Sequence, residues 1–430
     1  MLDRQSPDSS PAPVFSAVII KLFASLLALL MLAPSRASAQ SKFVTVRGKN
    51  IVAPDGQPLL LRGIGLGNWL VQEGYMWKIE GGLHESPREI HELVDELVGP
   101  AEARAFWTKF YANYVSQDDI DFLKRAGFNS IRVPFNYKLL TPEDAPGVWL
   151  DSGFELLDHV IQWSKADGLY VILDMHCAPG GQTGANIDDS WGYPWLYESL
   201  EAQQRAADVW RKIAERYRDE PTVLGYDLMN EPLPDRPEFA AYHARLEPIF
   251  TRITAAIREV DPNHIVILEG SNWDTSFRDF GPPFDSKAVY SIHKYWSPTT
   301  QASIQQYLDY RNKYNVPLWL GESGENTDEW VSNMVDLAEK NNIGWAFWTY
   351  KKMDSPRGVV SFDAPEFWNE IVAFAKVPGG VETDAWRKAR LGLSLEHCRA
   401  ALNDLLVKIQ FRNCHVNEGF LRALHLRANQ

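Results

Sequence analysis

Short apolar runs rich in β-branched residues alternate along most of this chain with longer segments of helical spacing. The runs are residues 59–64, 128–134, 169–175, 223–229, 265–269, 288–292, 317–321 and 344–349. The segments with helical spacing include residues 154–166, 203–218, 248–260, 304–314 and 327–340. Strands that alternate with helices pair in parallel, and a repeat of this kind with eight strands predicts an α/β protein with a (β/α)₈ barrel.

The segments on either side of the repeats are expected to be accessory to the barrel. Residues 44–46 and 51–52 flank a short polar stretch and predict a hairpin that caps the barrel floor before the first strand. After the eighth repeat, Pro378-Gly379-Gly380 interrupts the chain, and residues 386–409 are predicted to be helical. We therefore expect one barrel domain at residues 40–377 and a helical extension, packed on the barrel, at residues 378–430.

The first 39 residues have the pattern of a secretory signal peptide. An apolar stretch at residues 22–33 follows Lys21 and precedes Ala37-Ser38-Ala39, which is the small-x-small pattern of a cleavage site. This pattern predicts export to the periplasm or the extracellular space, with cleavage near Ala39. The alternative is an uncleaved membrane anchor, because the leader before Lys21 is long, although the apolar run is shorter than the roughly 20 residues that span a bilayer.

Charge, glycine spacing and cysteine content exclude several classes of function. The net charge of −13, without a run of lysines or arginines, argues against a nucleic-acid partner. The glycine-rich segments lack the Gly-Lys-Ser/Thr of a phosphate loop and the spacing of a dinucleotide site, so no nucleotide is expected. No Cys/His cluster suggests a metal ion, and no cofactor is implied. Ordinary buried thiols are therefore favoured for the cysteines, and an exported protein also permits a disulfide between Cys398 and Cys414, which the sequence alone does not establish.

Polar residues stand at the ends of the predicted strands, where a parallel barrel gathers its loops on one face. Asn230 and Glu231 follow the fourth run, and Glu322 follows the seventh. Two carboxylic acids placed in this way are what a retaining glycosidase needs, one to protonate the leaving oxygen and one to attack the sugar. Other strand ends supply Arg132, His176, His293, Tyr295 and Trp348. Their convergence predicts an enzyme that cleaves glycosidic bonds.

This set of residues, in this order, resembles glycoside hydrolase family 5, a family of (β/α)₈ glycosidases with catalytic glutamates after strands four and seven. The resemblance covers roughly residues 61–348. Residues 62–70 and 175–182 further resemble the exo-β-1,3-glucanase-like members of the family, from which the chain departs at Asn68 and Cys177.

The resemblance implies a role for each strand-end residue. It makes Glu322 the nucleophile and Glu231 the acid/base, and their environments should push their pKa values apart. Arg132, with its permanent charge and its fork of donors, is suited to keeping Glu322 ionised. Asn230 can donate to the sugar 2-hydroxyl. The remaining expectations are that His293 and Tyr295 orient the two carboxylates, that His176 binds a ring hydroxyl, and that Trp348 forms a platform under the sugar.

Three further tryptophans and the choice of substrate stay open at this level. Trp69, Trp273 and Trp296 are candidates for neighbouring sugar subsites or, equally, for core packing. We expect a retaining hydrolase of a β-1,3- or β-1,4-linked glucan, with a poly- or oligosaccharide as its partner. The alternatives are the same chemistry on β-mannan, a glucoside conjugate or a glycolipid, and a carbohydrate-binding barrel without catalysis. The last would be suggested if either glutamate or Arg132 were missing, and none is.

Overall fold

Eight parallel strands close into a barrel in the computed structural model, which describes residues 42–81, 84–381 and 383–427. In barrel order the strands are Arg62–Gly65, Ser130–Asn136, Tyr170–Cys177, Val223–Asp227, Ile265–Leu268, Ala288–Tyr295, Leu318–Gly324 and Gly344–Phe347. Trp345 of the eighth strand pairs with Arg62 of the first and with Leu320 of the seventh, which completes the closure. The predicted (β/α)₈ barrel and its eight strands are confirmed.

Several barrel strands extend past the apolar runs that predicted them, and the extensions carry polar side chains. The sixth strand continues to Tyr295 and the seventh to Gly324. The register between these two strands shifts between Ile292 and His293, which sets His293 opposite Glu322. Irregularities of this kind re-aim side chains at the rim of a barrel. The barrel backbone itself therefore turns polar side chains towards its open end.

Helices surround the barrel, and the five that the spacing predicts are confirmed. The longer helices are Pro87–Val98, Pro100–Tyr114, Gln117–Ala126, Asp151–Asp167, Leu200–Tyr217, His243–Arg258, Gln301–Tyr314, Asp328–Lys340, Trp368–Ala375, Asp384–Gly392, Leu395–Lys408 and Glu418–Ala423. Shorter helical turns are Gly74–Trp77, Tyr137–Leu139, Trp195–Tyr197, Pro237–Tyr242, Ser271–Asp274 and Phe411–Asn413. The helix Pro87–Val98 begins at a capping box, in which Ser86 and Glu89 satisfy each other's backbone N–H groups.

An apolar cluster inside the barrel closes its floor. The strands Thr45–Arg47 and Asn50–Val52 form the predicted antiparallel hairpin, and Val44 and Ile51 from it join the cluster. Its other buried members come from the barrel: Leu61, Ile172, Leu224, Ile265, Ile267, Val289, Trp319 and Ala346. Burial of a large apolar side chain of this kind stabilises the fold by about 1.5–3 kcal/mol. With the amino-terminal end filled, the accessible end of the barrel is the one where the strands finish.

The C-terminal extension is helical where predicted, except for a break at Leu393 and Ser394. Leu393 has extended backbone, and the Ser394 side chain accepts the His397 N–H to begin the next helix. After this helix, His415–Val416 pairs antiparallel with Val360–Phe362, which pairs in parallel with Lys351–Met353.

One buried lysine ties the C-terminal extension to the barrel. Lys351 Nζ donates to Asp119 Oδ1 and to the Ile409 carbonyl, both at 2.7 Å. Because an unpaired buried ammonium is costly, these contacts make the extension part of the fold.

Cysteines and membrane character can be stated for the described residues. Cys177, Cys398 and Cys414 are free thiols, as favoured above. Within residues 42–81, 84–381 and 383–427, no helix has the length and apolar character needed to cross a bilayer. The predicted signal peptide lies outside these residues and stays a prediction.

Candidate active site

A cleft of about 640 Å³ opens at the end of the barrel where the strands finish. Its size is typical of a site for a small or oligomeric ligand. The lining combines carboxylates, imidazoles and aromatic rings: Glu73, Tyr75, His176, Asn186, Ile187, Asn230, Glu231, Trp273, Thr275, His293, Tyr295, Trp296, Glu322, Glu325, Trp348 and Arg357. All but two of the residues predicted from the sequence are in this set. The two exceptions are Arg132 and Trp69.

Glu231 and Glu322 face each other across this cleft. One oxygen of each carboxylate and one nitrogen of His293 all lie within 4.8 Å of one another. His293 Nδ1 lies 2.8 Å from Glu231 Oε1, and the Tyr295 hydroxyl donates to Glu322 Oε2 at 2.8 Å. His293 Nδ1 also lies 3.8 Å from Glu322 Oε2, so the imidazole stands between the two carboxylates while Tyr295 binds Glu322.

The backbone of Glu231 is strained. Its φ is 42°, in the left-handed region that costs a residue with a side chain about 1 kcal/mol or more. Such strain persists only where the surroundings hold the residue, and it is found most often at functional sites. The contacts that hold Glu231 are therefore part of the site.

Arg132 lies beneath the cleft and is fully buried. Its Nη1 donates to Glu322 Oε1. The other nitrogens of the guanidinium contact Asp227 at 2.8 Å, Asn230 at 2.9 Å, Glu269 at 2.9 Å and Asp174 at 3.1 Å. One nitrogen of the planar guanidinium therefore holds the Glu322 carboxylate from below, while Nε and Nη2 bind the surrounding buried polar groups.

The charges around Glu322 keep it ionised. Burial tends to raise the pKa of this carboxyl, but the positive charges of His293 and Arg132 outweigh burial and bring the pKa below its ordinary value. Burial lowers the pKa of His293, yet the charges of Glu269 and Glu322 raise it well above its usual range. A charged His293 and an ionised Glu322 therefore stabilise each other at neutral pH.

His176, Asn230 and Trp348 form a second wall of the cleft. Burial lowers the pKa of His176, but the Asp174 carboxylate, 2.8 Å from its Nδ1, raises it to about 9. The His176 ring stacks on Trp348 with centroids 5.6 Å apart and planes 5° from parallel. Trp348 Nε1 donates to the Tyr75 hydroxyl at 2.7 Å, which fixes the indole. This wall presents a flat apolar face next to hydrogen-bonding groups.

Trp273 and Trp296 lie on the cleft, whereas Trp69 does not. Trp296 is 74% exposed and presents an open ring. Trp69 is 1% exposed, and its Nε1 donates to the carbonyl of Tyr111 in the helix Pro100–Tyr114 at 2.8 Å. The subsite role for Trp69 is therefore wrong, because its ring is buried away from the cleft and hydrogen-bonded to that helix.

Several site residues were not identified from the sequence. Glu73, Glu325 and Arg357 line the cleft from irregular segments, and Tyr75 does so from the short helical turn Gly74–Trp77; segments this short or irregular have no period to read. Burial raises the pKa of Glu73 to about 8. Beneath the cleft, Asp174, Asp227, Glu269 and Asp274 are all fully buried. Glu269 is the last residue of a run that predicts a strand, so the strand-end rule that located Glu231 applied to it as well.

Comparison with known proteins gives the same family. The model of Cellulase (glycosyl hydrolase family 5) matches residues 94–354. A β-xylosidase of Phanerodontia chrysosporium is 28% identical over 75% of this chain and 74% of its own length. Endoglucanase C of Acetivibrio thermocellus is 24% identical over 59% of this chain and 89% of its own length. A probable glucan 1,3-beta-glucosidase A of Aspergillus clavatus is 29% identical over 49% of this chain and 50% of its own length.

Two solved structures share the fold. An endogalactoceramidase superposes with a TM-score of 0.59 at 20% identity, over 89% of this chain and 84% of its own. The rutinosidase from Aspergillus niger does so with a TM-score of 0.56 at 19% identity, over 68% of this chain and 90% of its own. With the family model spanning more than half of the sequence, the chain belongs to glycosyl hydrolase family 5 and is a glycoside hydrolase.

Proposed function

We propose that this protein is an exported hydrolase of β-1,3- or β-1,4-linked glucan that acts with retention of anomeric configuration. The observation that carries the stereochemistry is the approach of Glu231 and Glu322, whose nearest carboxylate oxygens lie within 4.8 Å. Retaining glycosidases hold their two carboxyl groups about 5–5.5 Å apart, whereas inverting ones leave about 6.5–9.5 Å for a water. The close spacing favours direct attack by a carboxylate.

The proposed reaction has two steps. In the first, a Glu322 oxygen bonds to the anomeric carbon while the bond to the leaving oxygen breaks, and Glu231 gives its proton to that oxygen. In the second, Glu231 takes a proton from water as the water oxygen displaces Glu322 from the anomeric carbon. The products are two sugars with free ends, and both glutamates return to their starting states.

The surrounding groups support these steps in different ways. Arg132 and Tyr295 hold Glu322 through hydrogen bonds, so the nucleophile is ionised and aimed before the substrate enters. His293, 2.8 Å from Glu231, stabilises the carboxylate that forms when Glu231 loses its proton. The proposed role of Asn230 is to donate to the sugar 2-hydroxyl, a contact that strengthens as positive charge develops on the ring.

The other cleft residues are proposed to bind the sugar. His176 is suited to a ring hydroxyl because it carries a proton on each nitrogen when charged. Trp348 lies parallel to it as a platform under the ring at the cleavage point. Trp273 and Trp296 extend the aromatic surface along the cleft and are proposed to bind neighbouring sugars.

The names of the relatives support a β-linked substrate without agreeing on the sugar. They include a β-xylosidase, an endoglucanase and a glucan 1,3-β-glucosidase. Glucan is proposed because two of these three names specify it. β-Mannan, a glucoside conjugate and a glycolipid are the alternatives for the same chemistry. Export is proposed from the leader sequence at residues 1–39.

A substrate panel tests the proposed function. The purified chain from residue 40 is incubated with β-1,3-, β-1,4- and mixed-linkage glucans, mannan, and aryl β-glucosides and β-xylosides, and the products are identified by chromatography. Proton NMR of the first product reports its anomer. Glucan cleavage with a β-anomer released first is expected, and Glu322→Ala serves as the matched inactive control. Cleavage of xyloside or mannan alone would refute the substrate, and an α-anomer released first would refute retention.

Export is tested separately in cells that produce the full-length protein. The mature protein is expected outside the cytoplasm, with an N-terminus near residue 40 by peptide sequencing. Retention in the cytoplasm with residue 1 intact would refute export.

A further inference from the structure

Glu269 stands directly after the fifth barrel strand, Ile265–Leu268, and lies beneath the cleft rather than on it. It is fully buried, so no substrate group can reach it without displacing the residues above. Its carboxylate has three partners. Oε2 accepts the Glu231 backbone N–H at 2.6 Å, Oε1 accepts from Arg132 Nη2 at 2.9 Å, and His293 Nε2 lies 3.4 Å from Oε1.

Each of these partners also holds one of the two catalytic glutamates. Arg132 donates to the Glu322 carboxylate, and His293 contacts the Glu231 carboxylate. The third partner is the backbone of Glu231 itself. One buried carboxylate therefore binds the backbone of the acid/base directly. Through one intervening residue each, it is also connected to the side chain of the nucleophile and to that of the acid/base.

We propose that Glu269 is a positioning residue that fixes the acid/base Glu231 relative to the nucleophile Glu322. The proposal rests on the proposed retaining mechanism, in which Glu322 attacks the anomeric carbon while Glu231 protonates the oxygen bonded to it. Its geometric basis is the set of three contacts, which reach a single side chain from the second strand, from the sixth strand and from the segment after the fourth.

The backbone contact explains why a carboxylate is needed at this position. Glu231 has a φ of 42°, so its backbone is in a conformation that its own sequence does not favour. A hydrogen bond to an ionised acceptor is shorter and stronger than one to a neutral acceptor, and the bond from this N–H measures 2.6 Å. Without the charge, the peptide before Glu231 is free to relax, and the acid/base moves with it.

Several charged groups surround Glu269, so its replacement also changes the environment of Arg132 and His293. Arg132 and His293 face it as cations, and Asp227 and Asp274 are the neighbouring buried acids. Asp274 Oδ1 accepts the Gly270 N–H at 2.6 Å, and its Oδ2 lies 3.7 Å from His293 Nε2. Asp274 therefore supports His293 from the same side, but it does not contact the Glu231 backbone, so it cannot replace Glu269.

The test compares two substrates that differ in how much they need the acid/base. A dinitrophenyl β-glucoside has a leaving group that departs without a proton, whereas an oligosaccharide that the wild type cleaves depends on protonation by Glu231. In Glu269→Gln, which keeps the side-chain size and removes the charge, kcat/KM for the oligosaccharide is expected to fall about a hundredfold. The fall in kcat/KM for the dinitrophenyl glucoside is expected to be at least about fivefold smaller. Its cleavage does not depend on protonation by Glu231, so only a change in the position of the nucleophile Glu322 slows it.

Two matched variants complete the test. Asp261→Asn makes the same change at a fully buried carboxylate that binds His264 and Tyr226 before the fifth strand, at the other end of the barrel. It is expected to lower the melting temperature without changing the ratio of the two kcat/KM values. Glu269→Asp keeps the charge and withdraws the carboxylate by one methylene, so it is expected to show a smaller loss with the same preference, even if Glu269→Gln does not fold.

The outcomes separate the positioning role from the proposed function. An equal loss on both substrates, or no loss, in a folded Glu269 variant would refute the positioning role. If the wild type cleaves neither the dinitrophenyl glucoside nor any oligosaccharide of the substrate panel, the proposed function is refuted and the positioning role with it. A selective loss in Asp261→Asn as large as that in the Glu269 variants would show that any buried carboxylate has this effect, which would also overturn the proposal.

Discussion

Replacement of Arg132 by lysine is the most informative single change to this site. The arginine contacts Glu322, Asn230, Asp227, Glu269 and Asp174 from a fully buried position. Lysine keeps the positive charge but has three donors on one nitrogen, so at least two of these five acceptors lose their donor. Each hydrogen bond lost at a buried acceptor costs about 1–3 kcal/mol, so two lost bonds predict a loss of about 2–6 kcal/mol in the free energy of unfolding.

One of the lost contacts can be relieved by protonation. Burial, with the nearby charge of Glu269, raises the pKa of Asp227 to about 8 even with Arg132 present. Uptake of a proton by Asp227 near this pH removes the buried charge that the lost donor would otherwise leave uncompensated. The loss of stability is expected near the lower end of the range, which leaves the variant folded, because domains are typically stable by about 5–15 kcal/mol.

Arg132→Lys should also shift the pH dependence of catalysis, which a loss of stability alone would not do. The pKa of Glu322 is below its ordinary value in the folded protein, so its ionised form contributes stability that is present at neutral pH and lost as the pH falls through that pKa. Weakening the contact with residue 132 raises this pKa. The acidic limb of the pH profile of kcat/KM, which reports the ionisation of the nucleophile in the free enzyme, is expected to move to higher pH. Above that limb, kcat/KM is expected to fall about a hundredfold because the nucleophile is less well aimed.

The measurement is a pH profile of kcat/KM for the wild type and Arg132→Lys, together with thermal unfolding. The matched control is Arg258→Lys, at the end of the helix His243–Arg258 and away from the cleft. Arg258 makes a bidentate ion pair with Asp285, which lysine cannot reproduce. The control is expected to lose stability with an unchanged profile. If Arg132→Lys also loses stability while its acidic limb stays in place, Arg132 is a structural residue and its proposed role towards Glu322 is wrong.

The remaining predictions concern the nucleophile, the tryptophans and the C-terminal extension. Glu322→Ala should lose at least roughly 10⁴-fold in turnover while its circular dichroism spectrum stays native. Added azide should restore part of the cleavage by forming a glycosyl azide of inverted configuration. Wild-type-like turnover would refute the assignment of Glu322 as the nucleophile. Trp296→Ala should raise KM up to about tenfold with stability unchanged. Trp69→Ala should instead lower the free energy of unfolding by about 3–5 kcal/mol. The reverse pattern, measured by steady-state kinetics and denaturant unfolding, would refute the assignment of Trp296 to the cleft and Trp69 to the core. Lys351→Met should destabilise the protein by about 3–5 kcal/mol, because Asp119 keeps a buried charge without its partner, and an unchanged denaturation midpoint would contradict that reading.

The fold could be predicted because its signal is periodic. Apolar strands recur between amphipathic helices, and the barrel is the closed arrangement of such repeats. The same rule located the site, since Asn230, Glu231 and His293 come where an apolar strand ends. Polar residues at the ends of parallel strands converge whatever the intervening loops do.

What could not be predicted depends on contacts between distant segments. Tyr75 reaches the cleft from a helical turn of four residues and Arg357 from an irregular segment, and neither is long enough or regular enough for its spacing to indicate direction. Trp69 suits a sugar platform and a core equally well by residue type, and only its packing against the helix Pro100–Tyr114 decides between them. Glu269 carried the strand-end signal, but its connection to Glu231 is a backbone contact that residue types do not encode.

The buried contact between Lys351 and the Ile409 carbonyl has a consequence for the timing of folding during synthesis. The two residues are 58 positions apart, and all eight barrel strands precede Lys351. At ribosomal rates of about 5–20 residues per second, roughly 3–12 s pass between the synthesis of the lysine and that of its partner. During this interval Val360–Phe362 also lacks its neighbour His415–Val416, so the nascent chain carries an open strand edge. Chaperones that bind nascent chains have this interval in which to act on an almost complete barrel.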